Sequence, residues 1–179
     1  MKKHRIITHK QNLLTLTIFL LIPLSFSSLT YAQSQLGEKA PAFITNTLDG
    51  KRIALKDYWE NQEKRVLILS FFATWCGPCK EDLKYLQKVQ DQHSSKGLHV
   101  VSVLTQDSAK EETVKKFTQA LGVRLPVLLD EFSIIGRRYG VTGLPCTFVI
   151  DKEGVLKAKY LGYSEVVKKR FEDLLKEIL

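Results

Sequence analysis

Six consecutive residues, Trp75-Cys76-Gly77-Pro78-Cys79-Lys80, constrain this chain more than any other stretch. They follow a compact apolar run, Val66-Leu67-Ile68-Leu69-Ser70-Phe71-Phe72, and precede a segment with helical periodicity. Two residues between cysteines in a helix-opening turn bring the sulfurs close enough to form a disulfide. They also leave the first thiol at the helix N-terminus, where unpaired backbone N–H groups and the helix dipole stabilise a thiolate. Pro78 suits the first helical turn, because its missing N–H costs nothing there. Strand, Cys-x-x-Cys turn and helix together mark a dithiol redox site. A structural disulfide or half of a zinc site is the other reading of such a pair. A zinc site needs about four ligands. Beyond residue 33 only Cys146, His93 and His99 remain, and none has finger-like spacing. We therefore expect no metal and no cofactor.

The chain has 179 residues, so one domain is the default, and at 44% apolar residues it can bury a core. The net charge of +8 misleads about that domain. Lys2, Lys3, Arg5 and Lys10 precede residue 33 and no acid does. Removing them leaves 23 basic against 19 acidic residues, a balance of +4. That balance, with no basic stripe interleaved with aromatics, gives no reason to propose nucleic acid. The N-terminus reads as a targeting segment over residues 1–32. It has a basic start, a charge-free apolar stretch over 13–24, then small and polar residues, with Thr30-Tyr31-Ala32 as the cleavage site. The alternative is an uncleaved membrane anchor. Residues 13–29 fall short of the roughly 20 a spanning helix needs, and Pro23 interrupts them. No cysteine lies near the cut, which argues against a lipid anchor. Both readings place the domain outside the cytoplasm, where disulfides persist unless something reduces them.

Residues 33–39 read as a short polar linker and 40–179 as one α/β domain. Residues 42–48 and 52–55 flank Asp49-Gly50, a hairpin turn signal. Residues 66–72 form a central strand, apolar on both faces apart from Ser70. A helix over 80–95 points Leu83, Leu86 and Val89 inward. A strand over 99–104, an amphipathic helix over 109–121, a short strand over 127–129 and a short helix over 132–139 follow. Strands at 147–150 and 155–160 flank the turn Asp151-Lys152-Glu153-Gly154, and a helix over 165–179 closes the chain. This order predicts a mixed central sheet with helices on both faces.

Trp75-Cys76-Gly77-Pro78-Cys79 matches the thioredoxin active-site sequence, and Val141-Thr142-Gly143-Leu144-Pro145 resembles the loop that carries that family's cis-proline. Ala40-Pro41-Ala42-Phe43, followed by Leu48-Asp49-Gly50-Lys51, is instead similar to the N-terminal extension of TlpA/ResA-like extracytoplasmic thioredoxins. So is Phe71-Phe72-Ala73-Thr74-Trp75-Cys76. Residues 109–129 match the αβ insertion of that group. The resemblance covers residues 37–179 and implies a thioredoxin fold with an N-terminal β-hairpin extension and an inserted αβ element. Two departures stand out. Thioredoxin has a buried aspartate six residues before its first active-site cysteine; here that position is Ser70, so that relay is absent. Cys146 stands immediately after Pro145, where family members usually carry Thr.

The resemblance implies thiol–disulfide exchange. By position Cys76 attacks a substrate disulfide, and Cys79, one turn into the helix, resolves the mixed disulfide. Asp82 lies three residues beyond Cys79, on the same helix face, where a carboxylate accepts the Cys79 proton. ResA-like proteins carry a Glu there; an acid in the first turn that serves only the helix dipole is the plainer reading. The resemblance also implies a cis Pro145, with the Leu144 backbone opposite Cys76 and available to an extended peptide. Trp75, Gly77 and Pro78 complete the expected substrate-binding rim. Cys146 is either a buried, inert thiol or an auxiliary one that pairs with Cys76 or Cys79.

The implied partners are disulfide-bonded proteins, apocytochrome c among them, and a membrane thiol electron donor of the DsbD or CcdA type. A monomer is the simplest expectation. The Gly-Pro dipeptide favours a reductant, since thioredoxin lies near about −270 mV and the oxidant DsbA near about −120 mV. The alternatives are an oxidase or isomerase, or a metal or haem chaperone on the same scaffold. The chain lacks room for a DsbA-type helical insertion. Sco-like copper carriers need wider cysteine spacing and a downstream His. A peroxiredoxin needs Thr-x-x-Cys, whereas Thr74 stands only two residues before Cys76.

Overall fold

The computed structural model describes residues 34–60 and 66–179; the expected leader, residues 1–32, lies outside the described residues. The chain builds around β3 (Val66–Phe72), in which all seven residues are buried. Successive side chains of a strand point to opposite faces, so an unbroken apolar run calls for cover on both sides. Val66, Ile68 and Phe72 enter one core; Leu67, Leu69 and Phe71 enter the other. β4 (Leu98–Leu104) pairs parallel to β3, and β5 (Val127–Leu129) parallel to β4. On the other side β6 (Cys146–Ile150) runs antiparallel to β3, and β7 (Leu156–Leu161) antiparallel to β6. The resulting order is β5-β4-β3-β6-β7, the mixed sheet expected from the sequence.

The first core packs helices α2 (Gly77–His93), α3 (Glu111–Ala120) and α5 (Glu165–Ile178) on the Ile68 face, through Leu83, Leu86, Val114, Phe171 and Leu175. The second holds α4 (Ile134–Arg138), through Ile135 and Tyr139, together with Phe43 and Leu55 from the N-terminal segment. Trp59 on α1 (Asp57–Glu60) is partly buried and packs against this second core. Burying side chains of this size contributes roughly 1.5–3 kcal/mol each, so the two faces account for most of the cohesion.

The expected hairpin is present: β1 (Ile44–Asn46) pairs antiparallel with β2 (Arg52–Ala54). Gly50 sits at φ 76° in the turn, where a side chain would be strained. The N-terminal segment does more than form a hairpin. Gly37 N donates to Leu156 O at 2.8 Å, Leu156 N to Glu38 O at 2.9 Å, and Lys39 bridges Val155. The segment then crosses the Phe71 face, where Tyr139 Oη donates to Pro41 O. Finally Leu48 N donates to Val127 O at 2.8 Å and Thr47 bridges Leu128 on β5. Part of the stretch read as a linker, residues 37–39, is therefore hydrogen-bonded into the fold, and the segment clasps both outer strands of the sheet.

Most element ends shift by a residue or two from the sequence expectation, and two of the differences have a clear physical cause. Helix α2 begins at Gly77 rather than Lys80, because Pro78 fits the first turn. The helix expected over 132–139 is split: Phe132 and Ser133 adopt left-handed backbone at φ 56° and 54°, and α4 starts only at Ile134. The buried carboxylate of Asp130 dictates this break. It accepts the amides of Ile135 and Gly136 at 2.7 and 2.9 Å and the Thr105 hydroxyl at 2.7 Å, so it holds the start of the helix against β4.

Candidate active site

The cysteine turn leaves the C-terminal end of β3 and is anchored from the loop after β4. The amide and hydroxyl of Thr74 both donate to Asp107 Oδ2, at 2.6 and 2.7 Å. Partial burial opposes the charge on Asp107, but these bonds and the amides of Ser108 and Ala109 hold its carboxyl below the usual range. Trp75 Nε1 donates to Gln106 O at 3.1 Å, which fixes one edge of an indole that is otherwise 64% exposed. Cys76 then occupies the N-cap of α2 in extended backbone, with Pro78 in the first turn. Cys76 and Cys79 form a disulfide with Cα atoms 5.4 Å apart. Cys79 is fully buried, Cys76 is 4% exposed, and Gly77 and Pro78 are exposed. Cys76 is thus the outer sulfur, at the end of the helix where an anionic sulfur is favoured.

Asp82 follows one turn later and points into the protein. Burial pushes its carboxyl up to about 6, partly offset by the hydrogen bond that Ser70 Oγ donates to Asp82 Oδ2 at 2.8 Å. Thr147 Oγ1 donates in turn to Ser70 Oγ at 3.2 Å. The position at which thioredoxin has its buried aspartate is therefore not mute: its serine grips the carboxylate supplied from α2. Sequence reasoning missed Ser70 and Thr147 as parts of the site. A signal was present, since each is the polar residue facing the α2 side in an otherwise buried strand.

The Leu144–Pro145 peptide is cis, as the family resemblance implies. The antiparallel register pairs Phe71 with Cys146, so the two residues before Cys146 run alongside Phe72 and Ala73, where the chain enters the cysteine turn. Trp75, Cys76, Leu144 and Pro145 are brought to one end of the sheet in this way. Cys146 is not part of that group. It is fully buried on the other face, in the cluster of Phe71, Tyr139 and Phe148, and burial pushes its thiol up to about 11. Cys76 and Cys79 belong to the opposite cluster. Among the described residues no group of three or more His, Cys, Asp or Glu side chains is placed to hold a metal ion. No helix of the described residues is long and apolar enough to cross a membrane.

Comparisons with known proteins bear on this geometry. The AhpC/TSA family model matches residues 36–159. The thiol-disulfide oxidoreductase ResA of Bacillus thuringiensis is 33% identical over 144 residues, spanning 80% of this chain and 79% of that protein. The thioredoxin-like protein YneN of Bacillus subtilis is 32% identical over 151 residues, spanning 82% and 84%. A solved thiol:disulfide interchange protein of the thioredoxin family from Chlorobium tepidum superposes with a TM-score of 0.65 at 27% identity, spanning 82% of this chain and 99% of that one. Fold, dithiol and relatives agree, and the chain belongs to the AhpC/TSA family of thioredoxin-fold proteins, where it is a thiol-disulfide oxidoreductase of the ResA type.

Proposed function

We propose that this protein reduces disulfides of other proteins outside the cytoplasm. The observation that carries this reading is the Cys76–Cys79 disulfide at the start of α2, with Cys76 outermost and the exposed Trp75, Gly77 and Pro78 around it. In the reduced enzyme the Cys76 thiolate attacks one sulfur of a substrate disulfide. A Cys76–substrate bond forms and the other substrate sulfur leaves as a thiolate. Cys79 passes its proton to the Asp82 carboxylate, attacks the Cys76 sulfur and displaces the second substrate thiolate. Substrate gains two electrons, and the enzyme is left with the Cys76–Cys79 disulfide. Asp82 suits the acceptor role because it is one helical turn from Cys79 and its carboxyl, at about 6, is poised close to neutral pH. Trp75, Gly77, Pro78, Leu144 and Pro145 form the rim that binds the peptide around the scissile disulfide.

The leader pattern over residues 1–32 supports export, either with cleavage after Ala32 or with the segment kept as an anchor. Outside the cytoplasm an oxidised enzyme needs a source of electrons, and a membrane thiol donor of the DsbD or CcdA type fits that need. Apocytochrome c, whose cysteines must be reduced before haem attachment, is the substrate we favour, and the working unit is a monomer. The redox midpoint of residues 33–179, read by alkylation and mass in graded thiol–disulfide buffers, tests the direction of flow. A midpoint at or below about −250 mV is expected; one near about −120 mV would make the protein an oxidant.

A further inference from the structure

Ser70, Asp82 and Thr147 come from β3, α2 and β6, and each is at least nine-tenths buried. Buried polar groups need partners, and these three satisfy one another. The order of donation follows from valence. An ionised carboxylate only accepts, so the single proton of Ser70 goes to Asp82 Oδ2 and Ser70 Oγ is left to accept from Thr147. The strand register, which pairs Ser70 directly with Thr147, sets the two hydroxyls side by side. Both O–H dipoles therefore run toward the same carboxylate oxygen. Among the described residues Asp82 has no ion pair, and Oδ1 accepts no hydrogen bond.

The other ionisable groups around Asp82 do not supply that support. Tyr85 on α2, Tyr160 on β7, Tyr163 in the loop before α5 and Lys168 on α5 share a small cavity with it. Cys146 on β6 and the tyrosines are held in their neutral forms by burial. Lys168 is committed to Glu165 at 3.0 Å and lies over the Tyr85 ring. Cys79 is the remaining neighbour, one turn earlier on the same helix.

We infer that Ser70 and Thr147 are positioning residues for Asp82: in series they hold its carboxylate ionised inside the protein and keep Oδ2 occupied, so that Oδ1 is the oxygen open to a proton. The consequence for catalysis rests on the reading of Asp82 as acceptor of the Cys79 proton. The pair would then set the pH below which resolution of the mixed disulfide slows.

The test follows the Asp82 carboxyl directly, by 13C NMR titration of the oxidised full chain. Ser70→Ala raises the titration midpoint by about one pH unit, the size expected when a charged acceptor loses one hydrogen bond. Thr147→Val, which keeps the shape but removes the hydroxyl, raises it by less, and Thr147→Ser leaves it unchanged. Thr147→Val also serves if Ser70→Ala does not fold. Midpoints in Ser70→Ala and Thr147→Val equal to that of the unaltered protein would overturn the inference. A second readout, the single-turnover release of reduced substrate from the mixed disulfide, tests the reading beneath it. Its acid limb should move up with the titration, giving roughly tenfold slower release below it. A moved titration with an unmoved release rate would remove Asp82 as the acceptor, while the hydroxyl pair would still set its ionisation.

Discussion

Cys146 and Thr147 are adjacent in β6 and lead different chemical lives. Thr147 faces α2 and joins Ser70 and Asp82 in a buried polar chain beneath the dithiol. Cys146 faces α4 and is packed among aromatic rings, with Tyr139 and Phe148 centred 5.2 Å apart and Phe71 5.7 Å from each. One step along a strand moves a side chain from one side of the sheet to the other. The α2 side holds the dithiol and the buried carboxylate with its two hydroxyls; the α4 side is built for cohesion. A thiol's distance from the active site in sequence says little about its reactivity when a sheet stands between them.

Substitutions on the two faces should separate this contrast, and the greatest effect is expected at Cys79. Cys79→Ser leaves Cys76 able to attack but nothing to resolve, so turnover is lost and the enzyme accumulates as a mixed disulfide visible by mass. Asp82→Asn comes next. Loss of a proton acceptor costs on the order of a hundredfold in substrate release, measured by single-turnover quench. The same change should stabilise the protein. Burial raises the Asp82 carboxyl from 3.8 to about 6. Between those values the folded chain holds a proton that the unfolded chain has lost. Stability therefore falls by about 3 kcal/mol as pH rises from about 4 to about 6.5 and is flat above. Urea unfolding across that window should show the fall in the unaltered oxidised protein and lose it in Asp82→Asn.

Asp107→Ala tests the outer anchor of the cysteine turn. Losing the two bonds to Thr74 should cost about 1 kcal/mol of stability and slow attack by Cys76 only a few-fold. The smallest effect on activity is expected from Cys146→Ser, which should leave the redox midpoint and turnover unchanged. The Cys146 thiol should also resist alkylation in the folded protein at pH 8. Burial that raises it from 9.0 to about 11 leaves about a hundredfold less thiolate. A shifted midpoint or rapid labelling would join Cys146 to the active side and erase the contrast.

Much of this was legible in local pattern. The unbroken apolar run of β3, the turn signal at Asp49-Gly50 and the strand–turn–helix around Cys76 each depend on neighbours in sequence, and each appears where expected. The relations among distant residues were not legible. Ser70 finds Asp82 twelve positions on and Thr147 seventy-seven positions on, and only the sheet register and the rotation of α2 bring them together. The face occupied by Cys146 likewise depends on pairing with Phe71, which no local signal encodes. Phe132 and Ser133 show the reverse failure: their helical pattern was overridden by the tertiary pull of Asp130.

The N-terminal clasp bears on how the open edges of such a sheet are kept from other chains. An open sheet offers two rows of unpaired amides and carbonyls, and each invites a strand from another molecule. Here one continuous segment shields the start of β7 with residues 37–39 and then β5 with Thr47 and Leu48, while Lys157 and Lys159 keep the rest of β7 charged. Extended segments of other polypeptides are thereby kept from joining this sheet. A chain cut back past Leu48 would lose both guards at once, and its fate would be polymerisation before it was loss of redox chemistry.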